Sequence, residues 1–160
     1  SFRLSQIFDA SVCMFGAFGY LTNPSDVLGC LRSLRRHLTP DVLFVFEFWH
    51  TPAVRPRLDW FYKKGSRFEL LRLSEGRFDY RRYLLSITFH FFVFKGSKML
   101  ERFDETHIVR TYTVPEMRRL LKRGGFRLLG AFAATPKEKG FRPVRSGTFR
   151  VMAVARPKQS

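Results

Sequence analysis

Two continuous apolar runs, FDASVCMF at residues 8–15 and VLFVFEF at residues 42–48, bracket a segment that opens Asn-Pro-Ser-Asp and then repeats its apolar side chains at helical spacing. No other feature constrains the fold as much. Runs of this length without a regular polar face suit strands buried on both sides, as in a parallel sheet. Asn23 at the N-cap, Pro24 at the first helical position and Asp26 at the third make a strong helix start. Val27, Leu28, Leu31, Leu34 and Leu38 mark one face, with Arg32, Arg35 and Arg36 on the other. The spacing predicts a helix from about Pro24 to Leu38, ended by Thr39-Pro40. Strand, helix and strand with short connections form a βαβ unit, so Phe8–Phe15 and Val42–Phe48 are expected to be parallel, with a right-handed crossover.

The middle of the chain has a different pattern. After the Pro- and Arg-containing stretch from His50 to Lys64 come three extended segments, Arg67–Leu73, Phe78–Phe94 and Met99–Tyr112. Turn-like Ser74-Glu75-Gly76 and Lys95-Gly96-Ser97 separate them, which reads as an antiparallel meander. Thr113-Val114-Pro115-Glu116 has the form of a capping box, Met117, Leu120 and Leu121 mark a buried helical stripe, and Gly124-Gly125 suits its C-terminal cap. Phe126–Ala133 and Thr148–Ala155 read as the last strands, joined by a basic Pro/Gly-rich loop over Thr135–Gly147. The expectation is an α/β fold in one domain over residues 1–160: a βαβ unit at 1–50, an antiparallel insert at 65–112, and a helix with two strands at 113–160.

Composition narrows the class. With 160 residues, 45% of them hydrophobic, the chain is long enough to bury a real core. No apolar run approaches the ~20 residues of a membrane span, so no membrane partner is expected. Cys13 and Cys30 form no CxxC or Cys/His cluster, which favours a reduced, cytoplasmic setting. The net charge is +16, and 21 of the 29 basic residues are arginine. Such a field attracts nucleic acid and other polyanions. The arginines nevertheless spread over every segment, the longest groups being pairs such as Arg35-Arg36 and Arg118-Arg119, so solvated surface is preferred over a nucleic-acid footprint. The first residue is Ser1, and the natural N-terminus is expected to lie upstream.

The order of these elements resembles the second half of the class I S-adenosylmethionine-dependent methyltransferases. FDASVCMFGAFGYL is similar to that family's fourth strand and the loop after it. VLGCLRSLRRHLTPDVLFVFEFWHTPAV resembles the following helix and fifth strand, with Pro40-Asp41-Val42 where the family usually has Pro-Gly-Gly. ERFDETHIVRTYTVPEMRRLLKRGGFRLL resembles the stretch from an inserted sheet into the helix before the sixth strand. The FWH and ETHIVR stretches look most like small-molecule N-methyltransferases with an antiparallel insert, such as those acting on amino sugars. The resemblance implies a partial Rossmann-like sheet, strands four to seven, with an inserted β-meander. It also implies S-adenosyl-L-methionine as cofactor and a small-molecule acceptor, an amine in the closest subgroup. The family's Gly-rich loop, ribose-binding acid and adenine contact have no counterpart here and are expected upstream of Ser1. A chain lacking them is expected to be inactive alone, to look more basic than the whole protein, and to self-associate through an open sheet edge.

In an open α/β sheet the ligand sits at the carboxyl ends of the strands, here Phe15–Tyr20 and Trp49–His50. Gly16 and Gly19 allow close backbone approach, and Phe15, Phe18 and Tyr20 offer faces that attract a sulfonium. With Ala17 they form the cofactor loop the resemblance implies; the alternative is a structural turn with core aromatics. His50 can take the proton of an amine acceptor, or it hydrogen-bonds a loop carbonyl. Trp49 and His107 are candidates for the substrate side, as a pocket wall and a residue of the covering insert, with core and strand-face roles as the alternatives. His37 is placed to meet a helix dipole and His90 to pair within an aromatic strand. No metal-ligand spacing exists. The competing function is a non-enzymatic RNA- or polyanion-binding module using Arg with interleaved aromatics, as in RYLLSITFHFFVFKGSK. The aromatics there are too dense to be mostly exposed.

Overall fold

The computed structural model describes residues 2–134 and 140–158. The chain forms two compact units, one from the residues up to Val54 together with those from Arg110 onward, the other Arg55–Val109.

The first unit is built on β1 (Phe8–Cys13), α1 (Pro24–Arg36) and β2 (Leu38–Trp49), and β1 and β2 pair in parallel with Ala10 opposite Leu43 and Cys13 opposite Phe46. The βαβ expectation therefore stands. Three details differ. First, β1 is an edge strand among the described residues, not one buried on both faces, and Val12 is 71% exposed. The apolar run reads the same whether or not a second neighbour is there. Second, the helix stops at Arg36 and β2 begins at Leu38, running through Pro40; the pairing shifts between Phe8 and Ala10, which accommodates a residue with no N–H to donate. Third, Asn23 makes no side-chain bond to the helix backbone, because its amide donates to the Asp26 carboxylate at 3.2 Å.

After the second unit the chain forms α2 (Val114–Arg123), then a strand at Phe126–Ala133, a two-residue strand at Arg142–Pro143, and a last strand at Arg150–Pro157. The final strand sits antiparallel between β2 and Phe126–Ala133, with Phe46 opposite Ala153. The loop expected over 135–147 falls partly outside the described residues, and Arg142–Pro143 within it pairs with Phe132 and Ala133. Phe44, Phe46 and Phe48 alternate onto one face of β2 and meet Leu31 of α1, Met117 and Leu121 of α2, and Ala153. Each such buried Phe, Leu or Met side chain contributes roughly 1.5–3 kcal/mol. Glycine brings the two helices together: a Cβ on Gly124 would lie 2.6 Å from Leu31 Cβ. At the start of α2, the Thr113 hydroxyl accepts from the Glu116 amide as a capping box requires. The reciprocal half is replaced, since Glu116 Oε1 accepts from Arg110 at 2.6 Å.

The second unit is a four-stranded antiparallel sheet, β3 (Leu58–Lys64), β4 (Glu69–Asp79), β5 (Leu84–Lys95) and β6 (Lys98–Arg110), in sequential order. β3 lies in the stretch read as a connection, where Arg and Pro masked the aromatic run Trp60-Phe61-Tyr62. Ser74-Glu75-Gly76 is not a turn but the middle of β4, with Ser74 and Glu75 paired to both neighbours and Gly76 to Ile87 of the next strand. The hairpin turns instead at Tyr80–Tyr83, where the Asp79 carboxylate accepts from the amides of Arg81 and Arg82 and Tyr83 has φ +57°. Those two amides hold the Asp79 carboxyl below its ordinary value. The turn expected at 95–97 is the two-residue link Gly96-Ser97, with Gly96 at φ +58°. The aromatics of β5 are packed on neighbours: Phe91 stacks on Phe103 at 4.8 Å, and His90 Nδ1 lies 2.9 Å from Asp104.

Candidate active site

Beyond Cys13 the chain reverses through two consecutive left-handed residues, Phe15 at φ +58° and Gly16 at φ +72°, into a single 3-10 turn at Ala17–Tyr20. Ala17 N–H donates to Met14 O and Gly19 N–H to Gly16 O at 2.9 Å, so the loop is tied to itself. The Phe18 ring is buried, 5.0 Å from Phe46 and 5.9 Å from Tyr112. Tyr112 anchors the far end, its hydroxyl donating to Leu21 O at 2.9 Å; burial pushes that hydroxyl's pKa up to about 12, so it stays a donor. Of the aromatics read as possible cofactor faces, Phe15 at 85% exposure and Tyr20 are open, whereas Phe18 has turned into the core because its aromatic neighbours hold it there.

Trp49 ends β2 directly beside this loop. A Cβ on Gly16 would come within 2.7 Å of the indole Nε1, so glycine at 16 is what lets the indole lie against the backbone. The other ring contact of Trp49 is Phe149, at 5.2 Å between centroids. His50 follows, buried, and fixed by four backbone links: its N–H to Phe149 O at 2.7 Å, Ala53 N–H to its own carbonyl at 3.0 Å, Tyr112 N–H to Trp49 O, and Thr51 N–H to Tyr112 O. Its Nδ1 lies 3.1 Å from Thr148 O, a geometry that places the proton on Nδ1. Burial lowers the His50 pKa, opposed by the Thr148 bond, so the imidazole is neutral at pH 7. Of the two readings of His50, the bond to a loop carbonyl is present, and Nε2 makes no hydrogen bond among the described residues.

Gly16, Trp49 and His50 are thus brought together at the carboxyl ends of adjacent parallel strands. His107 is not among them; it belongs to the second unit, where it packs edge-on to Phe89 at 5.3 Å and lies 3.6 Å from the Glu105 carboxylate. Glu47 and Arg150, absent from the sequence-based candidates, support the cluster from below. Glu47 is buried, and both its oxygens take the Arg150 guanidinium, at 3.0 and 2.6 Å. A lone carboxylate inside an apolar strand was the available signal, since it must find a cation to be buried at all. No group of three or more potential metal ligands occurs among the described residues, and no helix among them is long and apolar enough to cross a membrane.

A parallel pair extended by an antiparallel last strand, with an antiparallel sheet inserted after the second parallel strand, is the fold of the class I S-adenosylmethionine-dependent methyltransferases, and this chain carries it. It superposes on an S-adenosylmethionine-dependent methyltransferase from Clostridium acetobutylicum with a TM-score of 0.80 and 20% identity, over 99% of this chain and 62% of that one. For the sugar N-methyltransferase KedS8 from Streptoalloteichus the TM-score is 0.78, with 16% identity over 99% and 60%. In sequence it is 28% identical over 123 residues to the "Putative methyltransferase YqeM" of Bacillus subtilis, which is 76% of this chain. No family model matches. The chain spans about half the length of that curated relative, 49%.

Proposed function

We propose that the chain serves S-adenosylmethionine-dependent methyl transfer to a small-molecule amine, with residues 15–20 on the cofactor and His50 as the base. The reading is supported by one coincidence. In a fold shared with known methyltransferases at a TM-score of 0.80, a left-handed Phe15-Gly16 turn and a neutral, tethered His50 meet at the carboxyl ends of neighbouring parallel strands.

The residues present fit one side of such a cofactor. The positive φ angles at Phe15 and Gly16 reverse the backbone beyond the strand, and the exposed Phe15 and Tyr20 rings suit a sulfonium. Phe18 offers no face, so its part in the loop is to anchor it. Bound there, S-adenosylmethionine supplies an electrophilic methyl group on sulfur. This chain then orients and deprotonates. Trp49 forms a wall beside the loop, excluding water and restricting the approach of the acceptor. His50, fixed through Nδ1, presents Nε2 to the acceptor amine and takes its proton as the nitrogen becomes methylated. The groups for the cofactor's carboxylate and ribose belong, in this reading, to polypeptide outside these 160 residues.

The test is calorimetry with S-adenosylmethionine and initial rates on amino-sugar acceptors, using the chain alone and joined to an N-terminal methyltransferase half. The chain alone should bind weakly. In the joined protein, His50→Ala should lower kcat by about 10²-fold or more while cofactor affinity holds. Unchanged turnover removes the base from the proposal.

A further inference from the structure

The end of the first unit opposite Trp49 carries an accumulation of cations that methyl transfer does not use. Arg32, Arg35 and Arg36 from the last turns of α1 and Lys122 and Arg123 from the end of α2 line an open hollow of about 450 Å³. A second hollow of about 360 Å³ is lined by Arg127, Arg156 and Lys158. The two adjoin: the Arg35 guanidinium donates to Lys158 O at 3.4 Å, and Lys158 N–H donates to Gly125 O at 2.8 Å. Eight cations thus face one carboxylate, Asp41. Asp41 and Trp49 are eight residues apart on β2, roughly 26 Å at the rise of a strand. The candidate active site is therefore far from these hollows.

Helix dipoles explain part of the accumulation, because cations are favoured at helix C-termini. They do not explain Arg127, Arg156 and Lys158, which lie on or beside strands. Nor is the charge internally neutralised. Arg57, Lys64, Arg77, Arg110 and Arg150 each have a carboxylate partner elsewhere in the chain. Setting Arg35 aside, the cations of the two hollows make no ion pair among the described residues. Arg156 Nε is moreover buried without a hydrogen-bond partner among them, an uncompensated donor of the kind a ligand oxygen satisfies.

We propose that this surface binds the phosphate backbone of a nucleic acid. Six of the eight cations are arginine, whose planar fork matches phosphate oxygens in pairs. A membrane surface fits less well, since no exposed large apolar side chain lines either hollow to enter a bilayer. The clustering also gives part of the +16 charge a location that its scatter along the sequence conceals.

The experiment is fluorescence anisotropy of a labelled oligouridylate with the full 160-residue chain, titrated between about 50 and 200 mM KCl. Two variants are compared, each replacing four cations by glutamine: Arg32, Arg36, Lys122 and Arg123 in the first, and the exposed Arg67, Arg81, Arg82 and Lys95 of the second unit in the other. The first should flatten the slope of log affinity against log salt by about 3, at about 0.7 for each phosphate no longer neutralised. The second should leave it nearly unchanged. Phenylglyoxal labelling read by mass spectrometry gives an independent check, in which bound oligonucleotide should protect Arg32, Arg123, Arg127 and Arg156. Equal flattening by both variants means net charge alone and overturns the proposal, as does absent protection. Binding through these residues to phosphatidylglycerol vesicles but not to the oligonucleotide also overturns it, in favour of a membrane.

Discussion

Alanine at position 16 separates two costs that the structure assigns to different causes. At φ +72° an L residue sits in the left-handed region, a strain of about 1–2 kcal/mol, of which the loss of glycine's unfolded-state freedom returns about 0.4–1. The new Cβ would also lie 2.7 Å from Trp49 Nε1 and 3.0 Å from Cε2. Such distances force the indole to swing away from the loop and off Phe149, at about 0.5–1.5 kcal/mol for an off-rotamer side chain. Gly16→Ala should therefore destabilise the chain by about 2 kcal/mol. In a Trp49→Ala background only the backbone part remains, about 1 kcal/mol or less. The coupling between the two sites should be about 1 kcal/mol, well above the few tenths expected of sites that do not touch. Urea unfolding followed by circular dichroism measures all four corners of the cycle. Additive effects would refute the contact between Gly16 and Trp49, and a neutral Gly16→Ala would refute the left-handed turn. The cycle bears on the proposed function too, because under that proposal a larger residue at 16 should weaken cofactor binding both by filling the loop and by displacing Trp49.

Gly124→Ala should cost about 1–3 kcal/mol by overpacking Leu31, with no backbone strain at φ −80°, and Leu31→Ala should relieve that clash in a urea-unfolding cycle. Glu47→Ala should cost about 1–3 kcal/mol by the same assay, less than the 3–5 of a fully buried pair, because the orphaned Arg150, 34% exposed, can turn to water. His50 has a folded-state pKa below its unfolded value, so its contribution to stability is complete above about pH 6.5 and is lost as pH falls toward the lowered value. His50→Gln should accordingly flatten the fall in urea midpoint between about pH 7 and 5. Because β1 has one neighbour among the described residues, the chain should associate with rising concentration in sedimentation velocity, and Val12→Lys on that strand should suppress it.

The parts legible in the sequence are those whose physics is local. Asn23-Pro24-Ser25-Asp26 and Thr113-Val114-Pro115-Glu116 place two helix starts to the residue, because N-terminal positions are chosen by dihedral angles and nearby donors. What local rules leave open is which of two partners a polar group takes. Glu116 suits Thr113's backbone by spacing but bonds Arg110, and Asn23 suits a helix amide but bonds Asp26. Ser74-Glu75-Gly76 has turn composition, yet strands on both sides recruit it into a ladder. The same limit governs the candidate site. Spacing puts Gly16 and Trp49 at the ends of two strands, but only the parallel register and the φ of Gly16 bring an indole onto the loop. Phe15, Phe18 and Tyr20 are alike as sequence. Their fates diverge because Phe15 sits in the left-handed turn that precedes the 3-10 turn carrying Phe18 and Tyr20, and Tyr112, nearly a hundred positions later, claims the middle ring.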